Sequence, residues 1–156
     1  MRRGTPTAHD VAGMEYALRL ARAAAVRDEV PVGCVVMHGS TVLGESHNET
    51  EQRHDPMAHA EVLALQRAIQ AGFADLLPIA TMYLTLEPCA QCAGAIVLAR
   101  VGRVVFGAWD QRAGMAGSVY DILRNPRLNH RPEVVTGLFE AECGEVLKQF
   151  FRAKRG

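Results

Sequence analysis

The sequence predicts an α/β fold in which one sheet is covered by helices on both faces, and three observations point to it. Segments with apolar residues at helical period alternate along the chain with short runs of strand-forming residues. Alternation of that kind places helices on both sides of a sheet. Two short motifs, His59-Ala60-Glu61 and Pro88-Cys89-Ala90-Gln91-Cys92, each fall where a helix is expected to begin. Finally, 156 residues with 49% hydrophobic content suffice for one domain whose core needs no disulfides.

The elements follow in order. A first helix begins near Thr7, with Asp10 three residues on completing a capping box, and carries Tyr16, Leu20 and Ala24 on one face. Strands from Val32 to His38 and Thr41 to Ser46 form a hairpin through His38-Gly39-Ser40. Asp55-Pro56 is a start signal for a second helix, and Ala58 to Ala71 holds Val62, Leu65 and Ile69 at helical period. A loop through Leu77-Pro78 leads to a strand from Thr81 to Leu86. Pro88 suits the first position of a third helix, which runs through Gly94, Ile96 and Leu98 to Arg100. A strand from Arg103 to Phe106 precedes a looser stretch, Gly107 to Pro132, with a short helix near Ser118 to Leu123. A strand around Glu133 to Thr136 and a helix from Phe139 to Arg155 complete the order. No repeat, linker or low-complexity segment interrupts it, so residues 1–156 read as a single domain.

The two motifs supply three metal ligands, His59, Cys89 and Cys92, and one carboxylate, Glu61, that is not a ligand. Residues two apart on a helix point to nearly opposite sides, so His59 and Glu61 can share a site only at a helix N-terminus. Cys89 and Cys92 are three apart and lie on one face. Two helix N-termini therefore converge on one metal, and their positive dipole ends favour thiolates. Three protein ligands leave a fourth position for water, the pattern of catalytic rather than structural zinc. Zinc lowers the pKa of bound water from about 15.7 towards neutrality. Glu61 is then placed to take the water's proton and deliver it to a departing amine. Taken singly, a Cys-x-x-Cys is also a redox pair and a His-x-Glu a chance pairing. Joined in this order, with Pro before the first cysteine, they favour catalytic zinc over both a structural zinc and a redox pair. Under the structural reading His54 is the possible fourth ligand; it precedes Pro56 and is placed at the pocket rim.

The pattern of His59-Ala60-Glu61 followed by Pro88-Cys89-Ala90-Gln91-Cys92 resembles the cytidine deaminase superfamily of zinc deaminases. Within it, the chain from about Met14 to Arg152 is similar to the bacterial tRNA adenosine deaminases. The supporting segments are Glu29-Val30-Pro31-Val32-Gly33, Asn48, Arg53 to Glu61, Thr85 to Cys89, Phe106 to Asp110, Asn129-His130-Arg131 and Phe150-Phe151-Arg152. The run Asp55 to Glu61 resembles guanine deaminases as well, whereas the segments around Asp110, Asn129 and Phe150 to Arg152 look like the tRNA enzymes. The resemblance implies a three-layer cytidine-deaminase-like fold, with a central mixed sheet of about five strands and helices on both faces. It implies one Zn2+ per subunit and hydrolytic conversion of the wobble adenosine of a tRNA anticodon stem-loop to inosine, with release of ammonia. Asn48 and the Ala58 backbone would hold the extruded base. Asp110 and Asn129 would contact neighbouring nucleotides, and Phe151 and Arg152 the RNA beyond. An arginine tRNA read through an ACG anticodon, and a homodimer with active sites completed near its interface, are likewise implied. Two other classes stay in view: a guanine, cytosine or other free-base or nucleoside deaminase with the same zinc site, and a zinc-stabilised binding module, which would have no use for Glu61.

Composition frames this reading. Cys34 lies in the apolar run Val32 to Met37 and Cys143 in the last helix, and both are read as free buried cysteines fitting a reducing cytoplasm. Arg2 and Arg3 are followed by Gly4-Thr5-Pro6-Thr7 rather than an apolar core, unlike a signal peptide. No apolar run is long enough to span a bilayer. The 17 Lys and Arg balance 17 Asp and Glu, so RNA contact requires a local basic patch. Arg124, Arg127 and Arg131, and Lys148, Arg152 and Arg155 on the last helix, are the candidates; the alternative for them is a solvated face. Trp109 is a stacking surface or packing, with packing favoured. One of Phe150 and Phe151 belongs to the core or a subunit interface, and the other packs near a base.

Overall fold

The computed structural model describes residues 5–156. Arg2, Arg3 and Gly4 lie outside the described residues. The order of elements is α1 (Ala8–Val26), β1 (Gly33–His38), β2 (Thr41–His47), α2 (Ala60–Gln70), β3 (Thr81–Leu86), α3 (Ala90–Ala99), β4 (Arg103–Ala108), β5 (Glu133–Thr136) and α4 (Glu140–Arg155). The sheet order is β2-β1-β3-β4-β5. β1 runs antiparallel to β2 and β3, while β3, β4 and β5 run parallel, so the sheet is mixed as expected. The hairpin closes through Gly39-Ser40, with Gly39 at φ 60° supplying the left-handed backbone the tight turn demands.

Strand alternation splits the core in two. Cys34, Val36, Met82, Leu84, Val104 and Phe106 face the side covered by α2 and α3. Val35, Tyr83, Val105 and Val135 face α1 and α4. Thr7 caps α1 through the reciprocal box with Asp10. The buried face of α1 is Met14, Ala17, Leu18, Ala21 and Ala24, so the expected stripe is turned: Tyr16 and Leu20 lie at its margin and only Ala24 is interior. Asp10 also joins the sheet, since its carboxylate accepts from Arg103 at 2.6 and 2.8 Å and from the Tyr83 hydroxyl at 3.0 Å.

Several expectations are corrected. α2 docks through Ala60, Ala64 and Ala68 with Leu63 and Leu65, while Val62 is half-buried and Ile69 exposed. Small residues win because the helix lies close to β2: a Cβ at Gly44 would stand 2.3 Å from the Ala64 carbonyl. On α3, Ile96 is buried but Leu98 is 86% exposed. Leu77-Pro78 lies in a 3₁₀ helix, Ala74–Ile79, rather than a loop. The short helix expected near Ser118 to Leu123 is absent; turns and an Ala116–Asp121 bridge stand there, because a buried carboxylate elsewhere takes the backbone donors of this segment.

Candidate active site

The two motif turns leave the same end of the sheet. One follows β2 and the other β3, with β1 between them, so the turns stand two strands apart rather than at the ends of adjacent strands. Neither proline opens its helix. His59 is itself the cap of α2 (φ −79°, ψ 150°) and Cys89 the cap of α3 (φ −75°, ψ 180°). Pro56 and Pro88 lie before the caps because the preceding turns bond within the loops: Ala58 N–H donates to Asp55 O at 3.1 Å and Met115 N–H to Pro88 O at 2.8 Å. Neither cap side chain bonds its own helix, which leaves imidazole and thiol free for other work. Asn48 takes over the capping of α2, its Oδ1 accepting from Ala60 N–H at 3.0 Å. Gln91 ties the two turns together by donating to Met57 O at 2.9 Å.

His59 Nδ1 lies 3.5 Å from both the Cys89 and Cys92 sulfurs. The three donor atoms lie within 4.8 Å of one another, and this is the metal-competent group found among the described residues. A tetrahedral zinc with its usual bond lengths requires N···S separations of about 3.5 Å, so the donor set fits that ion. Cys89 is pulled well below the ordinary thiol range, first by its hydrogen bond with Cys92 and also by His59. Burial pushes the neighbouring Glu61 carboxyl above the usual range, against the pull of the Cys92 thiol. His54 is no member of the group and is not among the residues that line the pocket; it sits exposed in the preceding turn at φ 51°.

A cavity of about 150 Å³ opens on these residues, lined by Val30, Val32, Asn48, His59, Glu61, Leu86, Glu87, Cys89, Asp110 and Ala113. Its volume suits one heterocyclic ring. Asn48 and Asp110 are thus brought to the metal-competent group. Ala58 is buried behind the wall, with its N–H given to Asp55 and its carbonyl accepting from Glu49 N–H at 3.0 Å. Asn129 is exposed and not among the lining residues. Phe151 and Arg152 lie on α4, beside a separate hollow of about 210 Å³ shared with Leu147, Lys148 and Arg155. A larger open groove of about 910 Å³ beside Trp109 and the first turn of α4 contains no histidine or cysteine.

The basic patch is smaller than expected. Arg124 is held by Asp121 at 2.7 Å and by Ala116 O at 2.8 Å, while Arg127 and Arg131 are exposed. Trp109 packs edge-on against Phe106 with centroids 5.0 Å apart, as favoured. Cys34 and Cys143 are buried and free. Two buried carboxylates were missed as site builders. Glu29 accepts from Gln52 N–H at 2.6 Å and Glu51 N–H at 3.2 Å, shaping the loop before His59. Glu87 shapes the loop through Asp110. The available signal was an acidic residue placed directly against an apolar stretch, Glu29 before Val30 to Val32 and Glu87 after Met82 to Leu86.

The sequence model of the MafB19-like deaminases matches residues 9–155. The tRNA-specific adenosine deaminase of Bacillus subtilis (strain 168) is 45% identical over 144 residues, covering 91% of this chain and 88% of that protein. That of Agrobacterium fabrum (strain C58) is 44% identical over 142 residues, covering 91% and 93%. A chain solved in a study of A-to-I editing by tRNA:A34 deaminases superimposes with a TM-score of 0.82 at 41% identity, over 87% of this chain and 99% of that one. A guanine deaminase from Nitrosomonas europaea superimposes with a TM-score of 0.75 at 24% identity, over 94% and 86%, a likeness of fold alone.

Proposed function

This chain belongs to the MafB19-like deaminases and to the family of tRNA-specific adenosine deaminases, and from that membership we propose that it hydrolyses the wobble adenosine of a tRNA anticodon to inosine. The observation that carries the proposal is the convergence of His59, Cys89 and Cys92 with buried Glu61 around a ring-sized cavity. Zinc is the metal proposed for the three donors. When bound, it supplies Lewis acidity that brings a water's pKa towards neutrality.

The remaining work falls to the chain. Glu61, with its proton affinity raised by burial, accepts a proton from the attacking water and returns it to the amino group leaving C6 of the adenine. The C–O bond forms at C6 first and the C–N bond breaks once the amino group is protonated, so water plus adenosine yields inosine plus ammonia. Asn48 spends its carbonyl oxygen on α2, so its amide N–H groups remain for the acceptors of the base. Val30, Val32 and Leu86 give the ring apolar walls. A ring-sized cavity requires a nucleotide turned out of its stack, which costs less in a loop than in a duplex.

Asp110, in the cavity lining, and Asn129, outside it, are assigned to the neighbouring nucleotides, and Phe151 and Arg152, with Lys148 and Arg155, to the RNA beyond. The partner proposed is an anticodon stem-loop, that of an arginine tRNA, in the cytoplasm. No described helix is long and apolar enough to cross a membrane. A homodimer is proposed, supported by exposed apolar side chains such as Met57 and Leu98, 62% and 86% exposed in the single chain.

The test is inosine formation by zinc-loaded protein on an anticodon stem-loop, with free adenosine, guanine and cytidine in parallel. Inosine in the stem-loop alone is expected. Ammonia from a free base, with the stem-loop untouched, would overturn the substrate.

A further inference from the structure

Glu87 stands between the end of β3 and the first cysteine of the metal-competent group. It is 2% exposed, and its carboxylate gathers donors from a single segment. Oε1 accepts from Asp110 N–H at 3.0 Å and from the Ser118 hydroxyl; Oε2 accepts from Ala116 N–H at 2.9 Å and Ser118 N–H at 3.0 Å. The backbone adds to the clamp, since Glu87 N–H donates to Ala108 O at 2.8 Å. Gly114 is pressed against the same carboxylate: a Cβ there would stand 2.2 Å from Oε1. Two residues of this segment, Asp110 and Ala113, line the cavity together with His59 and Glu61.

We propose that Glu87 is a positioning residue for the RNA: through residues 110–118 it sets the wall against which the anticodon loop is received. The proposal rests on the tRNA reading above. Residues 110–118 contain no helix or named strand, and ordering such a segment costs much conformational entropy. An ionised acceptor forms the stronger class of hydrogen bond, so one carboxylate can hold what local structure does not. With the wall ordered at folding, RNA binding is spared that cost. Cys89, two residues on, belongs to the metal-competent group; the same short stretch therefore joins the proposed reacting centre to the receiving surface.

The test compares Glu87→Gln and Ser118→Ala with the wild type on an anticodon stem-loop, with metal content and amide hydrogen exchange measured on the same samples. In Glu87→Gln an amide N–H2 replaces one acceptor oxygen and faces donors. KM is expected to rise about tenfold or more with kcat within about threefold, since lost charged hydrogen bonds act on binding. Metal content should hold, and the amides of Asp110, Ala116 and Ser118 should exchange faster. Ser118→Ala removes only the hydroxyl donor and should shift KM in the same direction by less; it carries the test if the first variant does not fold. A purely structural role would lower kcat through a smaller active fraction at unchanged KM, and that result would overturn the proposal. If the wild type leaves the stem-loop untouched, the tRNA reading fails and takes this proposal with it. If the wild type edits the stem-loop and both variants keep its KM, only the role of Glu87 falls.

Discussion

Asp10 and Glu61 are both buried carboxylates, and their surroundings drive them in opposite directions. The Arg103 guanidinium, hydrogen-bonded to both oxygens, holds Asp10 down to about 2. Glu61 has no cationic side chain of that kind, and burial pushes it up. The first is therefore an anchor, and the second has the raised proton affinity that its proposed role as proton carrier requires. Because the folded-state pKa of Asp10 lies below its unfolded value, its stabilisation is fully present above pH ~4 and is lost as pH falls towards 2. The shift corresponds to about 2 kcal/mol. Asp10→Asn should cost ~2–4 kcal/mol at neutral pH and flatten the acid limb of a stability–pH profile measured by urea unfolding. An unaltered acid limb would contradict the assignment. Burial also holds Cys34 high and pushes the Cys143 thiol up to about 12. Alkylation of the folded protein at neutral pH, mapped by mass spectrometry, should therefore leave both unmodified.

Helix starts decide the site at the scale of elements. α2 and α3 both begin at residues whose side chains decline the capping role, and Asn48 supplies the missing oxygen for α2 from the end of β2. Asn48→Ala should cost about 1 kcal/mol in stability, measured by denaturant unfolding, and weaken metal retention as the His59 cap loosens. Unchanged stability and metal content would show that Ala60 N–H finds another partner. The strands Thr81 to Leu86 and Glu133 to Thr136 were legible to the residue, since each is a β-rich run with Pro or Gly close to either end: Pro78 and Pro88 for the first, Pro132 and Gly137 for the second. The helix starts were misplaced because Pro56 and Pro88 carry a start signal that the loop hydrogen bonds override. The core faces of α1 and α2 were turned because Ala and Gly, which allow close approach, carry little hydrophobic signal, while Ile69 carries much and stays outside, as Leu98 does on α3. The fold of residues 110–118 was not legible, since its acceptors come from Glu87, distant in sequence.

At the scale of the whole molecule, the mixed sheet sends both motif turns out at one end, which is why residues thirty apart in sequence, His59 and Cys89, meet at 3.5 Å. The metal-competent trio was legible because its members sit in two short motifs; which basic residues are free for a partner was not, since Arg124 is spent on an internal pair. With no net charge, affinity for RNA must come from local cations, and Lys148, Arg152 and Arg155 on α4 are the ones proposed. Stem-loop binding should weaken with salt, and Arg152→Ala with Lys148→Ala should reduce the slope of log K against log salt by roughly one to two. An unchanged slope would move the RNA elsewhere. Sedimentation equilibrium should find a dimer, and a monomer at all concentrations would remove the proposed shared interface.

The central claim is that the three-donor group reacts only through its buried carboxylate. Its most direct test is inosine formation in an anticodon stem-loop by the wild type and Glu61→Gln, each with zinc content measured. Equal zinc in both, with the rate in the variant down by about 10²-fold or more, is the predicted result. Comparable rates at equal zinc content would contradict the account.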